Sequence, residues 1–271
     1  MNQTDALLFE HITCTFAARS PRDVPFTAVS NASLRLADGE FLAIVGPTGC
    51  GKSTLLNVAA GLLAASSGTV ESFGKPVRGI NRDAGYMFQA DSLLPWLDAG
   101  QNVALGLELR GDTAGDAAAT ADAWLRRVGL GGMAKRYPHQ LSGGMKKRVS
   151  LAQMLAVGPR LLLMDEPFSA LDVQTRQLME NELLDIWSAE RSSVLFVTHD
   201  LEEAIGLADR VVVLSSGPGT KPIAEFVISI PRPRDVTELV HDPAFMEIHK
   251  RIWHALKSEV LASYERSKVA V

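Results

Sequence analysis

The chain has 271 residues, 46% of them apolar and 21% charged, with a formal net charge of −4. This is enough to bury a full core, and the acidic balance excludes a general nucleic-acid-binding surface, which needs Lys and Arg in excess. No apolar stretch approaches the roughly 20 residues that cross a bilayer, and the opening Met1-Asn2-Gln3-Thr4-Asp5 has no basic n-region. Cys14 and Cys50 form no disulfide framework, so the expected compartment is the reducing cytosol, with membrane attachment only through a partner.

Residues 7 to 36 mix short apolar pieces with turn residues (Ser20, Pro21, Pro25, Asn31) and predict a small antiparallel sheet. Phe41 to Val45 is a continuous apolar run, the pattern of a buried parallel strand, and helix-forming residues follow from Thr54 to Val58. From about residue 90 to 156 no such run occurs. Helical stripes appear instead, Ala121, Trp124, Leu125, Val128 and then Met145, Val149, Ala152, Ala156, which predict a helical lobe inserted into the sheet domain. The Lys146-Lys147-Arg148 run within it reads as a solvated helix face.

Strand-like runs return at Leu161–Met164, Val194–Val197 and Val211–Leu214. Between them lie the helical faces Met179, Leu183, Ile186, Trp187 and Leu201, Ala204, Ile205, Ala208. After the break Pro231-Arg232-Pro233-Arg234-Asp235, Phe245, Ile248, Ile252 and Leu256 space a last amphipathic helix. The fold class is therefore α/β: a core with a mostly parallel sheet, a small antiparallel β subdomain and an inserted helical subdomain.

Chemistry enters between the first core strand and its helix. Gly46-Pro47-Thr48-Gly49-Cys50-Gly51-Lys52-Ser53 fits the phosphate-loop pattern G-x-x-x-x-G-K-[ST], and Thr54 follows it into the helix. Glycines leave the backbone N–H groups free to cradle phosphates, Lys52 reaches the outer phosphate oxygens, and the Ser53 hydroxyl can ligate Mg²⁺. A disulfide at Cys50 would distort this cradle. No Asn-Lys-x-Asp follows, which argues against guanine specificity.

At the end of the Leu161 strand stand two adjacent carboxylates, Asp165 and Glu166. Neighbours on a strand point to opposite sides, so one acid can serve a metal and the other a water. Asp165 fits the Mg²⁺ role and Glu166 that of general base. Ser142 is a good N-cap for a helix beginning at Gly143-Gly144, and such a helix start is an anion site. None of His11, His139, His241, His249 and His254 shows a metal-ligand spacing.

Leu141-Ser142-Gly143-Gly144-Met145 resembles the signature sequence of ATP-binding-cassette (ABC) ATPases, and other marks of that family appear in order. Gln89 matches the Q-loop glutamine, Ser169-Ala170-Leu171-Asp172 the D-loop, and His199 the switch histidine. Phe16 sits where the family carries an aromatic that stacks on adenine, although Tyr is commoner there; Met145 replaces the usual Gln. Neither departure removes a π-face or an anion site. The resemblance spans residues 7 to 235 and implies an ABC ATPase domain over 1–235, with the helical subdomain inserted at about 90–156 and 236–271 as a C-terminal helical extension.

The resemblance implies ATP and Mg²⁺ as ligands, the metal held by Ser53, Gln89 and Asp165. Glu166, His199 and Gln89 would act on the attacking water. It also implies a head-to-tail homodimer in which Ser142, Gly143 and Gly144 of one copy close on the nucleotide held by Lys52 of the other, with Asp172 at the same junction. The segment Ala90-Asp91-Ser92-Leu93-Leu94-Pro95-Trp96-Leu97, the later Asn102-Val103-Ala104-Leu105-Gly106-Leu107 and the Pro-Arg-Pro-Arg break are similar to the nitrate/sulfonate/taurine branch of importers. That branch places the ATPase peripherally on the cytoplasmic face of the membrane, under permease subunits fed by an external solute-binding protein. Leu93, Leu94, Pro95 and Trp96 would line the permease contact, or else pack within the helical lobe. The alternative is a soluble ABC ATPase of the iron–sulfur assembly type.

Overall fold

The computed structural model describes residues 5–18 and 24–269; the turn residues Ser20 and Pro21 lie outside the described part, as do the first four residues. Strands β1 (Asp5–Phe16) and β2 (Phe26–Ala37) pair antiparallel, with Phe9 opposite Leu34 and Cys14 opposite Val29. β3 (Phe41–Val45) leads into helix α1 (Lys52–Ala59). β4 (Ser67–Ser72) and β5 (Lys75–Pro76) complete an antiparallel sheet of order β2-β1-β4-β5.

β6 (Ala84–Met87) precedes three mutually packed helices, α2 (Ala99–Arg110), α3 (Ala114–Arg127) and α4 (Gly143–Ala156). Then come β7 (Leu161–Asp165), α5 (Val173–Glu190), β8 (Ser193–Thr198), α6 (Leu201–Leu207), β9 (Arg210–Leu214) and β10 (Pro222–Val227). A short α7 (Val236–Leu239) and the long α8 (Pro243–Val269) finish the chain. The second sheet has the order β10-β9-β3-β8-β7-β6 and is parallel except at β10.

The apolar runs are continuous because both faces of this sheet are covered. On β3, Leu42 and Ile44 pack with Leu55 and Leu56 of α1 and with Leu34 and Leu36 of the antiparallel sheet. Phe41, Ala43 and Val45 face the other way, toward Trp187 of α5 and Ala204 and Ile205 of α6. Phe245, Ile248, Ile252 and Leu256 of α8 are buried in that same second layer. Trp187 meets the Phe41 ring edge-on at 5.6 Å between centroids, and its indole N–H donates to the Ser192 carbonyl at 2.7 Å.

Four strands carry no continuous apolar run in the sequence: β4, β5, β6 and β10. β5 and β6 are short, and in β4, β5 and β10 most residues are exposed or half-buried. Hydrogen bonding to a neighbouring strand, not burial of both faces, makes them strands. The Pro231–Asp235 break is likewise a packed element. Arg234 donates to the carbonyls of Ala208 (2.7 Å) and Ile230 (2.9 Å), and Arg232 pairs with Asp209 (2.8 Å) while lying over the Trp187 ring.

The Lys146-Lys147-Arg148 run is not a solvated face. Lys147 is 3% exposed, and Arg148 reaches back to the Val128 carbonyl (3.0 Å) and to Glu182 (3.4 Å). Three positive charges in a row say nothing about rotation around the helix axis, and α4 packs on α2, α3, α5 and β6 at once.

Between α5 and α6 lies a buried acidic group. Glu180 is 4% exposed, its Oε1 has no hydrogen-bond partner among the described residues, and burial together with Glu203 and Asp200 pushes its pKa up to about 8. Glu203 is pushed up to about 7, again chiefly by burial; Arg176 pairs with Asp200 at 2.9 Å and approaches Glu203 at 3.7 Å. Both acids bind more protons folded than unfolded, where their ordinary value is 4.5, so their contribution to stability is lost as pH rises toward 8. Glu180→Gln keeps the neutral shape at every pH. The difference in melting temperature between this variant and the parent is expected to grow in the variant's favour from pH 5 to pH 9 by thermal denaturation, and a difference independent of pH would contradict the assignment.

Candidate functional site

The loop Gly46–Ser53 joins β3 to α1 at the end of the parallel sheet. Gly51 occupies the N-cap of α1 with φ +116°, a conformation that strains any L side chain, and a Cβ there would stand 3.3 Å from the Ala28 carbonyl. No side chain caps α1, so its first N–H groups remain available to an anion. Lys52 is buried and curls back over the loop, its ammonium donating to the carbonyls of Gly46 (2.9 Å) and Pro47 (3.2 Å). Cys50 is buried beneath, and burial raises its thiol pKa, so it behaves as a small apolar residue and not as a nucleophile.

Asp165 ends β7 on the face shared by Leu161 and Leu163, toward α1. There it accepts a hydrogen bond from the Ser53 hydroxyl at 3.0 Å. Burial holds its pKa above the ordinary carboxylate value, partly offset by Ser53. Tyr86 on β6 lines the same spot. Its hydroxyl donates to Asn57 Oδ1 at 3.2 Å, and burial and the Asp165 charge push its pKa up.

Strand alternation is not what separates Glu166 from Asp165. β7 stops at Asp165, and Glu166 turns into left-handed backbone, φ +43°, with its N–H donating to the Val197 carbonyl at 2.8 Å. That turn brings its carboxylate to three donors. His199 Nδ1 lies at 2.9 Å, the Gln89 amide at 3.2 Å and the Lys52 ammonium at 3.7 Å. His199 follows directly on β8, while Asp200 caps α6 by accepting from the Glu202 (2.8 Å) and Glu203 (3.4 Å) N–H groups.

Gln89, Lys52, Ser53, Asp165, Glu166 and His199 are thus brought together. Other residues picked out in the sequence lie apart from them. Ser142 caps α4 by accepting from the Met145 N–H at 3.3 Å, and Asp172 caps α5 by accepting from Thr175 at 3.0 Å. Gly143 is open, with nothing within 4 Å of where a Cβ would stand, but Gly144 lies against Thr175, 2.9 Å from that position. Of these two glycines only Gly143 would therefore accept a side chain without displacing a neighbour. Phe16 is half exposed at the end of β1, opposite Phe26.

Sequence reasoning missed Ser169 as a support for Glu166, whose carbonyl accepts from its hydroxyl at 3.0 Å. Its place three residues after Glu166 was the available signal. Tyr86 and Arg176 were also missed, and nothing in their local sequence announces them. Among the described residues no group of three or more His, Cys, Asp or Glu could hold a metal by itself.

A phosphate loop set between a parallel strand and a helix, with a Ser–Asp pair and a Glu–His pair at the adjoining strand ends, defines a nucleoside-triphosphate hydrolase of the P-loop class. The family model for the ABC transporter matches residues 29–169. An ABC transporter ATP-binding protein of Methanocaldococcus jannaschii is 47% identical over 237 residues, 87% of this chain and 86% of that one. A nitrate import ATP-binding protein of Synechocystis is 44% identical over 235 residues, covering 85% and 88%. A taurine import ATP-binding protein of Yersinia pestis is 46% identical over 192 residues, covering 71% and 75%. A dimeric cassette in a post-hydrolysis state, bound to ADP and Pi, superposes with TM-score 0.72 at 28% identity, over 83% of this chain and all of that one. This chain belongs to the ABC transporter family and is an ATPase of it.

Replacing Lys52 by Ala removes the cation from the loop without altering the core strands. The dissociation constant for ATP, measured by isothermal titration, is expected to rise by about 10- to 100-fold, the loss of a charge-assisted contact worth about 1.5–3 kcal/mol. An unchanged constant would mean that the loop does not hold the triphosphate.

Proposed function

We propose that the chain is the ATP-hydrolysing subunit of an importer for a small anion such as nitrate, a sulfonate or taurine, acting as a head-to-tail homodimer. The observation that carries the reading is the convergence of His199, Gln89 and Lys52 on the Glu166 carboxylate. In this reading the loop Gly46, Pro47, Thr48, Gly49, Cys50, Gly51, Lys52, Ser53 and Thr54 wraps the phosphates, every residue but Pro47 offering a backbone N–H, and Phe16 stacks on adenine. Glu166 takes the proton of the attacking water, His199 orients that water and the outer phosphate, and Lys52 balances charge developing on the phosphoryl oxygens.

Ser53 and Asp165 offer hard oxygen donors 3.0 Å apart, and Asp165 carries a buried charge that a divalent cation would offset. Ser53, Asp165 and Gln89 would hold Mg²⁺, which when bound neutralises phosphate charge. Ser142 and Gly143 are exposed at the start of α4, with Gly144 half-buried beside them, and in this reading the three close on a nucleotide held by a second copy of the chain, with Asp172 beside the junction. Residues 1–235 form the ATPase domain in this reading, with the helical insertion over about 90–156, and 236–271 extend it.

An importer also needs a contact with integral membrane permease subunits, and no helix among the described residues is long and apolar enough to cross a membrane. Trp96 is 69% exposed and Pro95 is exposed beside it, while Leu93 packs inward. Asn102, fully buried, fixes this loop by accepting from the Leu94 N–H (2.7 Å) and donating to the carbonyls of Leu97 and Asp98 (both 3.0 Å). A rigid apolar loop suits a permease helix seated on it, with solute delivered on the far side by a binding protein and the ATPase peripheral on the cytoplasmic face. The nitrate and taurine names of two relatives support the solute class.

Glu166→Gln tests the catalytic core of the proposal. With ATP and Mg²⁺ this variant is expected to elute as a dimer in size-exclusion chromatography, and its turnover should fall by a factor of about 100 or more, in the range seen when a general base is lost. Turnover at the parent rate would remove Glu166 from the base role.

A further inference from the structure

Lys147 belongs to none of the machinery described above, yet it is the most completely enclosed cation on the helical side of the molecule, 3% exposed. It sits in the second turn of α4, and its ammonium donates to the Gln89 carbonyl at 2.7 Å and the Phe88 carbonyl at 3.4 Å, with Asp91 Oδ1 at 3.7 Å. Burial lowers its pKa and Asp91 opposes that shift. The ammonium therefore makes two hydrogen bonds and one longer ion pair, all to the one loop that follows β6. The same Gln89 sends its side-chain amide the other way, to Glu166 at 3.2 Å.

A continuous path results: the Ser142 cap, the first turns of α4, Lys147, the Gln89 backbone, the Gln89 amide, Glu166. Ser142 and Lys147 are five residues apart, about 7.5 Å along the helix axis. Charge-assisted bonds from an enclosed ammonium resist slipping, because withdrawing the loop carbonyls leaves the buried Lys147 charge unsatisfied. The loop cannot shift by an ångström without α4 following or the bonds breaking.

We propose that Lys147 is a positioning residue for hydrolysis, a strut that locks the backbone of Gln89 to the helix bearing the signature residues. It holds the Gln89 amide on Glu166 and makes displacement of the loop at Ala90–Trp96 a displacement of Ser142–Gly144. This rests on the reading of Gln89 and Glu166 given above. Lys147 itself touches neither nucleotide nor water.

The test compares steady-state ATP hydrolysis by the parent, Lys147→Met, Gln89→Ala and the double variant, with thermal midpoints recorded alongside. Lys147→Met fills the same volume without donors; Lys147→Gln takes its place if the Met variant does not fold. A positioning role predicts that kcat falls about 10-fold with KM for ATP within about twofold, and that the double variant is no more than about twofold slower than Gln89→Ala alone, since both changes remove one interaction. Parent-like kcat, a loss confined to KM, or losses that multiply in the double variant would overturn it. Should Glu166→Gln retain turnover, the catalytic reading itself fails; should Glu166→Gln be inactive while Lys147→Met turns over normally, only the strut is lost.

Discussion

Three parallel strands ending level with one another is the constraint on which the site depends. Register places Val45 of β3 opposite Thr198 of β8, and Val197 opposite Asp165 of β7. The residues that follow, Gly46, Glu166 and His199, therefore leave the sheet at the same end, although Gly46 lies more than a hundred positions before the other two. Parallel pairing, with crossover helices on both sides, is what brings such distant strand ends together. The Glu166 backbone then adds the local step, an N–H bond to Val197 and a left-handed turn that aims its carboxylate across the edge toward Lys52 and His199.

Buried charge recurs wherever two parts of the fold must keep a fixed relation. Lys52 spans its own loop, Lys147 fastens the loop after β6 to α4, and Arg234 ties the segment after β10 to carbonyls around the end of α6. Burial lowers the Arg234 pKa to about 10, and it remains charged at neutral pH with its donors directed at backbone oxygens. Each such group carries a desolvation cost that only well-directed acceptors offset, so each fixes geometry more than it adds stability. Glu180 is the opposite case, a buried acid with no hydrogen-bond partner for one oxygen among the described residues, and its neutral form is the one the fold favours at pH 7.

Much of the arrangement was legible from residues alone. Continuous apolar runs located β3, β7, β8 and β9 to within a residue or two, because strands covered on both faces leave no room for polar side chains. Helical stripes such as Met179, Leu183, Ile186 and Trp187 turned inward as their spacing required. β6 and β10 escaped detection because they are the two edge strands of this sheet: β6 has only 4 residues, and β10 alternates half-buried with exposed residues and so carries no continuous apolar run. Lys147 escaped because a charge run gives no phase around a helix packed on several sides. The reason offered for the divergence of Asp165 and Glu166 needed correction, since a backbone dihedral at the strand end separates them and not strand alternation.

The sequence by itself determined the phosphate loop, the places of the core strands along the chain and the identity of the acids and the histidine, because each depends on residue type and short-range spacing. Tertiary structure alone decided that Glu166 gathers Lys52, Gln89 and His199, that Gly143 opens outward while Gly144 packs on Thr175, and that Lys147 points inward. These are outcomes of strand register and helix rotation. Both are set by how whole layers pack, and no local window of residues contains that information.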